Sequence, residues 1–334
     1  MAIATLPANT PAIMAKQMLD RAEAEKRIGS AFQSRKINKN SGSTLILSRW
    51  VNAAISTTPE PEGQNPTTQA LTQESYNGTM QRYSAAFATS RYTSDLSPLD
   101  WTKGMTDVLM TQVESTRERI RYNAAISTTN VLYNSPSITT VQTVNGVITL
   151  GRLQKAIATI QAAKGQTFTS DATGTTKVGT TPVEAGYYCY HHPNANPDIR
   201  NIPGFVPKAK MAPGNYPIGT FGSVDNIIFV SSSEFTPAAG AATSVTNSSL
   251  LSTGGFPDVY NFIVCAKGAL VDVSLGGSGK EGYGNVETFI LDSADKSDLT
   301  NSRSVVSAAW YDLAMLVSFD WLVNIKCAVT ANPA

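Results

Sequence analysis

Charge is what this chain has least of. Lys, Arg, Asp and Glu make up 15% of its 334 residues, where about 25% is ordinary for a globular protein. The formal net charge is +1, so there is no strong electrostatic footprint for nucleic acid. Cysteine is scarce: Cys189, Cys265 and Cys327 stand far apart. Three such residues make neither a disulfide framework nor a zinc ribbon, and buried free thiols in a reducing compartment are the plain reading. Histidine is confined to His191 and His192, which leaves a Ser/His/Asp triad unsupported. Long apolar runs are missing. The nearest, residues 310–323, is interrupted by Asp312 and Asp320 and is too short to span a bilayer. The start MAIATLPANTPAIMAKQM has no basic leader followed by an apolar core. The expectation is a soluble protein made in the cytoplasm, with no membrane partner.

Ser, Thr, Asn, Ala and Gly take the place of charge, and 42% of residues are apolar. A weakly charged surface protects a soluble monomer poorly. It suits a subunit whose faces are covered by neighbours.

The organising stretch is residues 99–130, LDWTKGMTDVLMTQVESTRERIRYNAAISTTN, which reads as one long helix. Trp101, Met105, Leu109, Val113, Thr116, Ile120 and Ala124 recur at steps of three or four and form one stripe. Lys103, Asp107, Glu114, Arg117, Glu118 and Arg121 lie mostly off it. Glu114 with Arg117 and Glu118 with Arg121 then read as surface i,i+3 pairs, each contributing about 0.2–0.5 kcal/mol. Ser97-Pro98 supplies the start. Such a helix is roughly 48 Å long at 1.5 Å per residue, so the rest of the chain must pack along it.

Before it, residues 1–40 form a locally basic arm with a short helix over Ile13–Phe32. Lys16, Arg21, Lys26, Arg27, Arg35, Lys36 and Lys39 oppose Asp20, Glu23 and Glu25. TLILSRWV (44–51) and TMQRYSAAFAT (79–89) read as strands. The proline-punctuated stretch between them, residues 52–77, reads as the loop of a long projecting hairpin. After the helix, residues 137–148 look strand-like. Thr149 then caps a helix over 150–163, with Leu153, Ile157 and Ile160 on one face and Lys164-Gly165 as its stop. Residues 166–183 read as a loop. YYCYHH (187–192) reads as a buried strand ended by Pro193. PIGTFGSVDNIIFVSSSEF reads as a strand pair, and Val259–Leu275, Val286–Leu291 and Val305–Val329 as further strands. Trp321, Val323, Ile325, Cys327 and Val329 share a face.

Two patterns could carry chemistry. Cys189 and His191 share one face of a strand while His192 points away, and further metal ligands would have to be distant. The reading is a core strand with one hydrogen-bonded His. Gly277-Ser-Gly279-Lys-Glu-Gly282 spells GxGxxG, but a dinucleotide site needs a helix to open there, and Tyr283–Leu291 reads as a strand. The P-loop pattern fails as well, with Ser274 at its first glycine and Glu281 after Lys280. A hairpin tip is expected. No catalytic, cofactor-binding or metal-binding residue is assigned.

The order of parts is itself a signature. A basic arm, a strand, a proline-rich loop, a returning strand and a long helix resemble the major capsid proteins of tailed bacteriophages, which have the Hong Kong 97 phage capsid fold. The segments carrying the resemblance are SGSTLILSRW with TPEPEGQNPTTQALT, then YYCYHHPNANPDIRNIPGFVPKAKM, PIGTFGSVDNIIFVSSSEF and SRSVVSAAWYDLAMLVSFDWLVNIK. The third quarter matches at His192, Pro193, Asp198, Arg200, Pro203, Phe205, Ala209 and Lys210. Ser43, Thr44 and Leu45 replace the family's glycine and valine, and Asn194 its acidic residue. The resemblance runs from about Asn38 to Ala328.

It implies an α+β fold with an N-terminal arm (1–40), an extension loop hairpin (41–95), a peripheral domain with a spine helix (96–148), an axial domain (149–285) and peripheral strands (286–334). It also implies a non-enzymatic shell subunit. Pentamers and hexamers of this chain would form an icosahedral virion capsid around double-stranded DNA, assembled in the host cytoplasm. The implied partners are further copies of the chain, a portal, scaffolding and decoration proteins, and DNA contacted without sequence specificity. No cofactor is implied. The alternative is a bacterial nanocompartment shell of the same fold, enclosing a protein cargo. An enzyme using the glycine-rich tip is the reading from a different class, and it needs a polar pocket around Gly277–Gly282.

Overall fold

One strand, Arg303–Leu316, ties the molecule together. In the computed structural model it runs through the middle of a five-stranded sheet. The structure describes residues 27–38, 42–57, 59, 62–63, 65, 68–97, 100–174, 180–247, 249–276, 286–291 and 300–331. Arg303–Asp312 pairs antiparallel with Gln81–Ser90, Val305–Trp310 with Val286–Leu291, and Leu313–Leu316 with the start of Leu270–Gly276. Phe32–Asn38 lies parallel to Leu270–Gly276 at the edge. The glycine-rich tip at 277–282 and most of the expected arm helix lie outside the described residues. The described end of that arm departs from expectation. Ile28–Ala31 is a single 3-10 turn and Phe32 already begins a strand.

A second, seven-stranded mixed sheet has the order Val131–Tyr133, Leu322–Cys327, Tyr260–Cys265, Tyr187–His191, Ile227–Ser231, Thr220–Val224 and Val206–Pro207. Tyr187–His191 is parallel to Ile227–Ser231 and antiparallel to Tyr260–Cys265. Both its faces are covered, which is why YYCYH is buried throughout instead of alternating. On one face Leu153, Ala156, Ile157 and Ile160 of the helix Leu150–Ala162 pack on Cys189, Phe229, Phe262 and Ile325. On the other, Tyr188, Tyr190, Ile228 and Ile263 meet Tyr122 and Ala125 of the long helix, with Ile28 and Ala31 of the arm. The last strand therefore sits in this sheet, so the span 286–334 divides between the two sheets.

The long helix is Trp101–Ile126, about 39 Å at 1.5 Å per residue. It starts later than the sequence suggests because the Asp100 carboxylate accepts from the Lys103 N–H at 3.0 Å and caps it. It stops before Asn130 because the chain turns at Ser127–Asn130 into Val131–Tyr133. Its apolar stripe holds only for the first half: Met105, Leu109 and Val113 pack on Val306, Ala308 and Trp310. Beyond Val113 the buried positions are Arg117, Glu118, Arg121, Tyr122 and Ala125, so Thr116, Ile120 and Ala124 do not continue the stripe.

Other expectations are corrected. Thr149 precedes the second helix but its hydroxyl makes no capping bond; its carbonyl takes the Arg152 and Leu153 N–H groups. That helix does end at Lys164-Gly165. Lys164 is left-handed (φ 57°), its N–H reaches the Gln161 carbonyl, and the Gly165 N–H reaches the Ile160 carbonyl. A Cβ on Gly165 would lie 2.5 Å from the Ile160 side chain, so glycine follows the lysine. Residues 137–148 form no strand. Val144 and Ile148 are buried, and Val144 lies against Leu250, Val259 and Ala328 within a loop. The strand expected over 79–89 is Gln81–Ser90, but the stretch expected as loop ends in a further strand, Gln73–Thr79, with Met80 buried between the two.

Candidate functional site

The residues singled out for chemistry are occupied with packing. His191 is fully buried; its Nε2 lies 2.8 Å from Asn196 Oδ1, and its ring stacks on Phe262 and meets Phe229 edge-on. Burial pushes its pKa down to about 4, so it is neutral at physiological pH. His192 accepts from the Asn194 N–H through Nδ1 and leans on Tyr260. Burial raises all three cysteine thiols above their ordinary range, which makes them poor nucleophiles. Among the described residues no group of three or more His, Cys, Asp or Glu side chains is placed to hold a metal ion.

Two other arrangements stand out, one on the surface and one inside. The surface one is a two-stranded hairpin, Thr44–Trp50 with Gln73–Thr79, in register from Thr44↔Thr79 to Trp50↔Gln73. Alternation splits its faces. Leu45 and Leu47 point inward and pack with Leu313, Met315, Val271 and Met80. Gly78 allows close approach, since a Cβ there would sit 2.9 Å from Leu313. Arg49 fastens the hairpin: it pairs with Glu74 across the strands at 2.9 Å and donates to Ser318 Oγ of the body at 2.6 Å. On the other face Ile46 is 62% and Trp50 63% exposed, and the following segments expose Ile55 (84%) and Leu71 (66%). The outer face thus leaves four large apolar side chains in solvent on an element anchored to the body.

The internal arrangement is a cluster of charges beneath the long helix. Arg117 and Arg121, one turn apart, face the strands that carry Asp312 and Asp272. Arg117 Nε is 3.6 Å from Asp312, and Arg121 reaches Asp272 Oδ2 through Nη2 at 2.6 Å and Nε at 3.1 Å. Glu118 lies 4.0 Å from Arg121 and accepts the backbone N–H groups of Arg27 and Ile28 at 2.7 and 2.6 Å, clasping the arm to the helix. Burial lowers Arg117, opposed by Asp312. Burial also pulls on Arg121, but Asp272 and Asp312 outweigh it and raise it. Burial raises Glu118, opposed by the two N–H bonds. Asp312 is raised to about 6, by burial first and by the neighbouring Asp272 charge second. Helical periodicity placed these charges on a solvated face. The available signal was an Asp inside each of two apolar strands, LVDVSL and AAWYDLAML.

No family model matches the chain, and no curated protein sequence matches it. Solved structures do. The capsid of Ralstonia phage GP4 superposes with a TM-score of 0.65 at 12% identity, covering 100% of both chains. The cyanophage Pam1 capsid gives 0.64 at 12% identity, covering 99% of this chain and 100% of the other. The chain has the Hong Kong 97-type capsid fold. The SrpI encapsulin from Synechococcus elongatus PCC 7942 gives 0.57 at 8% identity, over 97% of this chain and 95% of its own. In this capsid fold the hairpin is the extension loop and Trp101–Ile126 the spine helix. Among the described residues no helix is long and apolar enough to cross a membrane.

Proposed function

We propose that the chain is the major capsid protein of a tailed bacteriophage, with a structural and not an enzymatic role. Copies assemble into pentamers and hexamers, and these into an icosahedral shell enclosing double-stranded DNA. The observation that carries the reading is the hairpin. One face is locked to the body by Leu45, Leu47 and Arg49, while Ile46, Trp50, Ile55 and Leu71 are left exposed. The partner argued for is a second copy, because chains of like fold over their whole length come from capsids. Each contact can be modest, since a closed shell repeats it many times.

On this reading the arm, hairpin, spine helix and five-stranded sheet make the peripheral part. The seven-stranded sheet with Leu150–Ala162 makes the axial part, taking Leu322–Cys327 with it. A net charge of +1 suits a wall that touches packaged DNA without reading it. Portal, scaffolding and decoration proteins are the further partners, the virion is the destination and the host cytoplasm the place of assembly. The likeness to an encapsulin favours one second reading, a shell around a protein cargo.

The test is expression of the chain alone, with mass by light scattering after size exclusion and negative-stain microscopy of the same fractions. Shells, or rings of five and six, support the proposal, and nucleic acid or protein inside native particles separates the two readings. A 35.5 kDa monomer that also binds a nucleotide overturns both.

A further inference from the structure

We propose that the Asn145–Gly146 peptide is a self-modification site, where the Asn145 amide is converted to a carboxylate through a cyclic imide, and that Asn134 promotes the step. The sequence holds Asn–Gly at 77–78 and at 145–146. Glycine has no side chain to shield its N–H and leaves the backbone freest to bend, so both dipeptides are reactive in an open chain.

The fold treats the two differently. Asn77 and Gly78 lie inside the strand Gln73–Thr79, opposite Ile46 and Leu45. The bonds from the Val51 N–H to the Thr72 carbonyl and from the Met80 N–H to the Ser43 carbonyl fix the alternation of this ladder. That alternation makes Leu45 and Gly78 a hydrogen-bonded pair. The Gly78 N–H is therefore spent on Leu45, and Leu313 closes the space beside it.

Asn145 and Gly146 lie in the loop between Val131–Tyr133 and Leu150–Ala162, outside any helix or strand, with Asn145 exposed to water. The Gly146 carbonyl accepts from the Ala328 N–H at 3.0 Å, but the Gly146 N–H makes no hydrogen bond among the described residues. Asn134 Nδ2 donates to Asn145 Oδ1 at 3.0 Å. The same amide lies over Gly146, where a Cβ would come within 2.8 Å of Asn134 Nδ2. A free nucleophile and a carbonyl with a donor on its oxygen thus stand on adjacent residues.

In the step, the Gly146 nitrogen attacks Asn145 Cγ and a C–N bond forms. Negative charge develops on Oδ1, where the Asn134 N–H already points and stabilises it. The intermediate collapses by breaking the bond from Cγ to the side-chain nitrogen. Ammonia leaves with the proton from Gly146, and a five-membered imide remains. Water then adds to one imide carbonyl and opens the ring to aspartate or isoaspartate at position 145. The new carboxylate cancels the formal net charge of +1. This inference does not depend on the shell reading, since it is measured on the chain itself.

The test is incubation of the folded chain in mildly alkaline buffer, beside the same chain in guanidinium chloride, with conversion at each site followed by peptide mass spectrometry. In the folded chain Asn145 is expected to convert at least about tenfold faster than Asn77, which reacts only when its ladder opens. In denaturant the two rates should converge. Equal rates in the folded chain, or a faster Asn77, overturn the proposal. Asn134→Ala is expected to slow Asn145 about tenfold and to leave Asn77 unchanged. An unchanged or faster Asn145 in that variant overturns the role of Asn134. If the variant does not fold, the wild type decides: Asn145 should convert at least as fast folded as denatured, and a slower folded rate overturns the promotion.

Discussion

The two halves of the long helix are held by different physics. From Met105 to Val113 the helix lies on Val306, Ala308 and Trp310 through apolar side chains alone. That contact is non-directional and scales with area, about 1.5–3 kcal/mol for each fully buried side chain. From Arg117 to Arg121 it is held by ion pairs to Asp272 and Asp312, with Glu118 gripping the arm. That contact is directional, and buried ions repay their desolvation only when partners and geometry are kept. One helix thus has a half held by buried area and a half held by directed charge pairs.

The difference is broken most strongly by removing one charge. Arg121→Ala leaves Asp272 and Glu118 buried without their cation and is expected to cost about 3–5 kcal/mol in urea unfolding. Replacing Arg117 and Asp312 together by Met and Leu is expected to leave stability unchanged or raise it by about 1–4 kcal/mol. If the double replacement is as damaging as Arg121→Ala, the ionic half is not the separable contact described above. In the apolar half, Leu109→Ala is expected to cost about 2–4 kcal/mol through lost contact and a cavity. Its pH profile should run parallel to the wild type, because no titrating group is touched.

Glu118→Gln tests the outer edge of the ionic half. Gln still offers one oxygen to the Arg27 and Ile28 N–H groups, but a neutral acceptor holds them less strongly. The expected loss is about 1–2 kcal/mol, with faster proteolytic cleavage between Arg27 and Asn38 as the local readout. Unchanged cleavage would mean that the apolar seating of Ile28 and Ala31, and not the clasp, retains the arm.

The same division explains what the sequence discloses. Met105, Leu109, Val113, Leu153, Ile157, Ile160 and the face from Val323 to Val329 are legible because burial follows the period of the element. Arg117, Glu118 and Arg121 are not, because a charged residue is assigned to solvent unless its partner is known, and Asp272 and Asp312 lie more than 150 residues away. Gln73–Thr79 was hidden for a related reason. Its residues QESYNGT are polar, and the strand exists because Thr44–Trp50 supplies backbone partners along its whole length. YYCYHH reads as a buried strand because of its aromatics, and His191 lies fully buried in it, hydrogen-bonded to Asn196 and stacked on Phe262.

The hairpin supplies the smallest stability effect and the sharpest contrast with both halves of the helix. Its inward residues Leu45 and Leu47 belong to a packed cluster, but Trp50 touches solvent over most of its surface. Trp50→Ser is therefore expected to shift the unfolding midpoint of the unassembled chain by no more than about 0.5 kcal/mol. On the proposed shell reading the same change should abolish or strongly weaken association, because a large aromatic buried in an interface carries a disproportionate share of binding. Ile46→Ser should act in the same sense and less strongly. A Trp50→Ser chain that assembles normally would move the contact surface elsewhere on the molecule. One that unfolds would show that Trp50 holds the hairpin itself. Loss of assembly with the fold intact is the outcome that separates an interface residue from the two kinds of joint beneath the helix.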